Sequence, residues 1–295
     1  MKRLALLAFF LVAACGSIGG AQAHAISLAY KAGDTYKYNF HAVFKYTVGA
    51  QGLSIPLNMD ISAKETLTVK SVDSSGTADV SVAVTNMSLK MTVNGTTNTT
   101  TTTTTTNVDM KIASDGRVVS INGSTFGNNT LPGMTGSEGG LVTALLPDTP
   151  VKPGDTWSKS YDQPNPFGTG SSHTTSSNKY LRDENVGSVN AAVVESKINS
   201  TFNLNIDMST MAGQSGTPLF PSTGASGMEG ITMSGSAVSD VTSWIDAGAH
   251  RVLKTHSTGT VDATMTLNMA AGASTPGLTG PITFKGTQTL DMTPA

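Results

Sequence analysis

Five histidines, at positions 24, 41, 173, 250 and 256, are the first residues to weigh for chemistry. A zinc hydrolase of the common helical type needs two histidines one turn apart, with a glutamate as general base. No H-x3-H or H-E-x-x-H spacing occurs. His250 and His256 share one face of a strand but lie about 20 Å apart along it, too far to ligate one ion. Cys15 is the only cysteine, so the domain that follows has neither thiolate ligands nor a disulfide. A serine hydrolase elbow reads G-x-S-x-G; Gly213-Gln214-Ser215-Gly216 and Gly224-Ala225-Ser226-Gly227 lack that spacing. Paired carboxylates could hydrolyse a glycoside. Asp60 and Glu65, however, have opposite parity on a strand and cannot face one cleft. Asp34, Asp73, Asp115, Asp155, Asp183 and Asp246 all sit in turns, where the side chain caps local backbone. No catalytic residue, metal ligand or cofactor is assigned from these patterns.

Cys15 has a chemistry of its own. Lys2 and Arg3 precede an apolar run over residues 4–14 (LALLAFFLVAA), the arrangement of an export signal. The run is well short of the ~20 residues that span a bilayer. Val12-Ala13-Ala14-Cys15 reads as a lipobox, with lipid attached at Cys15, a signal over 1–14 and a flexible tether over 16–25. Ala21-Gln22-Ala23 offers the alternative, a signal over 1–23 with cleavage after Ala23 and a mature start at His24. The expected location is the periplasm, outer membrane or cell surface, lipid-anchored in preference to soluble. The membrane is then a partner through the anchor.

Charged residues are 13% of the chain, against about 25% in ordinary globular proteins. The formal net charge is −2. With lysines and arginines scattered, nothing here neutralises a phosphate backbone, so nucleic acid is excluded as a partner.

The elements that position these residues are strands. Leu57, Met59, Ile61 and Ala63 alternate with Asn58, Asp60 and Ser62, and similar alternation runs through 80–93, 202–208 and 261–269. Period two with one polar face predicts antiparallel sheet. Three turn signals recur in order: Ala32-Gly33-Asp34-Thr35-Tyr36 with Pro153-Gly154-Asp155-Thr156-Trp157, the turn at 73–76 with that at 183–187, and Asp115-Gly116-Arg117-Val118 with 246–252. They predict two related β-meander halves, 26–147 and 148–295, in a half-barrel or sandwich-like, mostly β fold. One short helix is expected between them over 137–146, N-capped by Ser137 and stopped by Pro147. A Gly/Ser-rich insertion at 213–230 lengthens the second half, and the Thr99 to Thr106 run reads as an edge strand or hairpin.

The segment Pro147-Asp148-Thr149-Pro150-Val151-Lys152-Pro153-Gly154-Asp155-Thr156-Trp157, with the G-D-T-[YW] turn in each half, resembles a group of exported or lipid-anchored bacterial β-rich proteins of unknown function. At fold level, a lipobox before an antiparallel sheet is distantly similar to the half-barrel lipoproteins that carry lipids. Met87, Met91, Met265 and Met269 sit on strand faces with Leu89 and Leu267, where flexible Met side chains either pack a core or line an apolar cavity. The function expected first is non-enzymatic, a structural or adhesive scaffold of the cell envelope. A carrier or sensor of an apolar small molecule is the alternative, and an enzyme with an unrecognised site a third.

Overall fold

Alternating sequences become half-buried strands because successive side chains leave opposite faces of the backbone. A computed structural model describes residues 23–122, 143–165, 168–207, 228–269 and 280–295. It contains β1 (Thr35–Ala50), β2 (Leu53–Val72), β3 (Ala78–Val93), β4 (Thr96–Thr102), β5 (Thr106–Ile112), β6 (Val118–Asn122), β7 (Thr156–Pro164), β8 (Gly168–Val186), β9 (Val189–Asp207), β10 (Met228–Asp246), β11 (Arg251–Met269) and β12 (Ile282–Pro294). All are antiparallel, in one sheet ordered β6-β5-β3-β2-β1-β12-β11-β10-β9-β8-β7, with β4 also paired to β3. The two predicted halves are thus two arcs of a single sheet. They are joined by β1 and β12, paired from Tyr38 opposite Pro294 to Ala50 opposite Ile282.

The sheet curls into a nearly closed barrel whose edges, β6 and β7, meet through side chains. Lys159 Nζ lies 3.3 Å from Asp115 Oδ2, Gln163 donates to the Val118 carbonyl at 3.4 Å, and the Arg117 guanidinium sits 5.2 Å from the Tyr161 ring centre. Close packing of the wall needs glycine at Gly286, where a Cβ would fall 2.1 Å from the Lys45 carbonyl oxygen and 2.5 Å from the Tyr46 ring.

One end of the barrel is plugged. Residues 24–30 cross it, with Leu28 N bonded to Ser114 O (2.8 Å), Ala29 N to His250 O (3.0 Å) and His24 paired to Val151. Ile26, Leu28 and Tyr30 are buried there. A second segment, 143–147, enters the interior. The helix expected over 137–146 is corrected in its described part: 143–146 are not helical, and 137–142 lie outside the described residues. Ala144, Leu145 and Leu146 are all buried. Inside the barrel, Ala144 and Leu146 of this inserted chain join the apolar core.

Two turns superimpose in their bonding. Gly33 N bonds to Val69 O, Val69 N to Asp34 O and Asp34 N to Lys31 O; Gly154 N bonds to Tyr180 O, Tyr180 N to Asp155 O and Asp155 N to Lys152 O. Each glycine has a positive φ, 90° and 97°. Tyr36 and Trp157 are the second residues of β1 and β7. Cys15 and residues 208–227, most of the Gly/Ser-rich insertion, lie outside the described residues. Residues 99–102 of the threonine run belong to β4, an exposed edge strand.

Candidate functional site

The barrel interior has two unlike walls. On β8–β12, Thr174, Ser176, Asn178, Ser196, Ser239, Ser243, Thr255, Ser257 and Gln288 are all buried. Part of this polar wall serves the inserted segment, which has no neighbouring strand to bond. Ser243 Oγ accepts from Ala144 N at 2.8 Å, Ser196 Oγ accepts from Leu145 N at 2.8 Å, and Trp157 Nε1 donates to Leu145 O at 3.0 Å. Buried amides must find such acceptors, and serine hydroxyls supply them here.

On β1–β3 the inner face is apolar and graded. Toward the plugged end Phe40, Ala42, Phe44, Ala63, Leu67, Val80, Val82 and Val84 are buried. Toward the other end Val48, Leu57, Met59, Ile61, Met87, Leu89 and Met91 are only half-buried, although they continue the same inner phase. An apolar concave surface that stays partly open to solvent is the feature that an apolar ligand would cover.

The four methionines fall on two separate arcs of this wall. Met91 stands opposite Met59 on β2, and Met87 lies two steps of the alternation below it on β3, past Leu89. Met265 stands opposite Met233 on β10 and is 2% exposed; Met269 is half-buried at the end of β11. In the sheet, β3 and β11 are separated by β2, β1 and β12.

Glu65 is the residue that sequence reasoning set aside. It is 4% exposed on the inner face of β2, opposite Tyr38 on β1 and Val84 on β3. No side chain or amide among the described residues bonds or ion-pairs with its carboxylate. Desolvation alone pushes its pKa up to about 7. Beside it the Tyr38 hydroxyl donates to Val252 O at 2.8 Å. Tyr30 lies 5.6 Å, ring to ring, from Tyr36, and its buried hydroxyl has no partner. Burial holds the Tyr30, Tyr36 and Tyr38 hydroxyls well above the usual phenol range. Arg251 Nε is 3.5 Å from Asp246 Oδ2, an ion-pair distance rather than a hydrogen bond, with its guanidinium 5.7 Å from the Tyr36 ring centre. A signal for Glu65 existed in the sequence: Ala63, Glu65, Leu67 and Val69 occupy one phase of the alternation.

Outside, the wall is polar. Thr258 faces Thr289, Thr260 faces Thr287 and Thr264 faces Thr283 across β11 and β12. His41 pairs with Asp60 at 3.0 Å, His173 with Asp162 at 2.7 Å and His256 with Asp291 at 2.7 Å, all about half-exposed and worth little to stability. A bilayer-spanning barrel needs the reverse, an apolar band outside. A shallow cleft of about 500 Å³ over β7–β9 sets Lys179 and Lys197 beside Glu195. Among the described residues no group of three or more His, Cys, Asp or Glu is placed to hold a metal.

No known protein family matches this chain, and no curated protein does. Among solved structures it is similar to "Structure of DynF from the Dynemicin Biosynthesis Pathway of Micromonospora chersina", at 7% identity over 94% of this chain and 86% of that one. The TM-score of 0.24 is too low for that likeness to carry any argument, so the reading of function rests on the barrel's own interior.

Proposed function

We propose that the protein is a non-enzymatic binder of an apolar small molecule, held against the inner face of β1–β3. One observation carries this reading: Leu57, Met59, Ile61, Leu89 and Met91 continue the buried phase of their strands yet are only partly buried. The path around the barrel is eleven strands, wider than the about eight whose side chains alone fill an interior. The matched turns at Gly33 and Gly154 favour a duplicated meander as the origin of the two arcs. The proposed setting is the cell envelope, after export on the signal of residues 1–23. His24, whose backbone is bonded to Val151, falls just after the cut at Ala23; a lipid on Cys15 would leave the same domain on a short tether.

The test is direct. Protein purified from a bacterial host should release lipid or another apolar molecule into organic solvent, and adding a neutral aromatic probe to stripped protein should raise its melting temperature by linkage. A clean extract with no thermal shift removes the carrier reading. The scaffold reading then takes its place, favoured by the threonine-covered outer face. Palmitate-analogue labelling that is lost in Cys15→Ala, against a mature terminus at His24, decides the anchor.

A further inference from the structure

Glu65 stands at the inner end of the apolar wall. Descending β2 on the inner face, half-buried Leu57, Met59 and Ile61 give way to buried Ala63 and then Glu65. The small side chains of Ala42, opposite Ile61, and Ala63, opposite Phe40, lie between the open apolar stretch and the carboxylate. Along the strand, Ile61 to Glu65 is about 13 Å, within the length of a short alkyl chain. A carboxylate this deep, without one donor among the described residues, costs several kcal/mol when ionised unless something supplies the missing charge or hydrogen bonds. An ammonium supplies both, with three donors and a positive charge.

Building on the apolar-ligand reading, we infer that Glu65 anchors the head of a cationic amphiphile. The ligand is an alkyl or aryl primary amine, its body on Met59, Ile61 and Met91 and its ammonium on the Glu65 carboxylate. Tyr38, opposite Glu65, already spends its hydroxyl on Val252, whereas the Tyr30 hydroxyl is still without a partner at the same end of the barrel. The neutral form of Glu65, favoured by burial, is the resting state that amine binding would convert to an ion pair.

Displacement of N-phenyl-1-naphthylamine from the lipid-stripped full domain, at neutral pH, tests this with three competitors of equal chain length. Dodecylamine should compete about tenfold or more better than dodecanoate, the scale of one charge-assisted contact, with dodecanol between them. Glu65→Gln should collapse that preference to within about twofold. Asp60→Asn removes the same charge from the outer face of the same strand and should leave the preference intact, which separates anchoring from general attraction of cations. Dodecanoate competing as well as dodecylamine in the wild type overturns the anchor while leaving the apolar-ligand reading standing. An amine preference that survives in Glu65→Gln overturns the anchor in the same way. Failure of the probe to bind, and of all three competitors to shift the melting temperature, ends both.

Discussion

Glu65 places a titrating group in the folded interior, so its proton couples directly to stability. Its carboxyl titrates at about 7 when folded against 4.5 as a free side chain. The folded state therefore holds the proton more tightly. Its contribution is fully present below about pH 4.5 and is lost as pH rises through about 7. The difference of 2.5 units (about 7 minus 4.5) corresponds to roughly 3 kcal/mol for a group buried this completely. In urea titrations, Glu65→Gln should gain on the wild type by up to that amount between pH 5 and pH 8. A difference that does not change with pH would show that the group does not titrate in this range. The titratable group beside it is Tyr38, opposite on β1, which is held neutral throughout this window. The position of Glu65 in the apolar phase was legible in the sequence. That no donor would reach it was not, because that depends on what β1 and β3 bring alongside.

At the level of elements, the strands were the legible part, since a period of two has one structural solution. The segment 143–147 was not: a short apolar run reads equally as buried helix or buried extended chain, and only the surroundings decide. Those surroundings are Ser196 and Ser243, inner-facing serines on β9 and β10 whose partners lie 51 and 99 residues away in sequence. Ser243→Ala and Ser196→Ala should each cost about 1–3 kcal/mol, because each strands a buried amide, and urea midpoints would read it. Serine-to-alanine changes on the outer face, at Ser62 or Ser234, are the comparison and should be near neutral. The two turns make a paired prediction. Gly33→Ala and Gly154→Ala force the same left-handed backbone on a side chain, so each should cost about 1–2 kcal/mol, and the two losses should be alike. Unequal losses would separate the turns despite their matching bonds.

Over the whole molecule, the barrel depends on its plug. Residues 24–30 bury Ile26, Leu28 and Tyr30 against the core. Each such side chain is worth about 1.5–3 kcal/mol on burial, so their joint removal takes a large part of a domain stability of about 5–15 kcal/mol. A chain starting at Lys31 should melt well below one starting at His24, if it folds at all; equal melting temperatures would make the plug an accessory. Sequence patterning could not show the closure itself, because a meander of this kind serves an open sheet as well as a barrel. The polar contacts at the seam, Lys159 with Asp115 and Gln163 with Val118, come from positions that in sequence look like ordinary turn and edge residues.

The pairing of β1 with β12 has a consequence in time. These strands are the first and last of the described sheet, and every register contact between them links residues 38–50 to 282–294. During synthesis β1 therefore waits, with one long edge unpaired, until nearly all of the chain has been made. Sheets closed by such distant partners fold slowly and expose sticky edges while they do so. On the proposed route of export, an unfolded chain would gain from that delay, because premature closure would block passage. Translation stalled before Ile282 should leave a ribosome-bound chain that protease digests readily, while release past Pro294 should convert it to a resistant core.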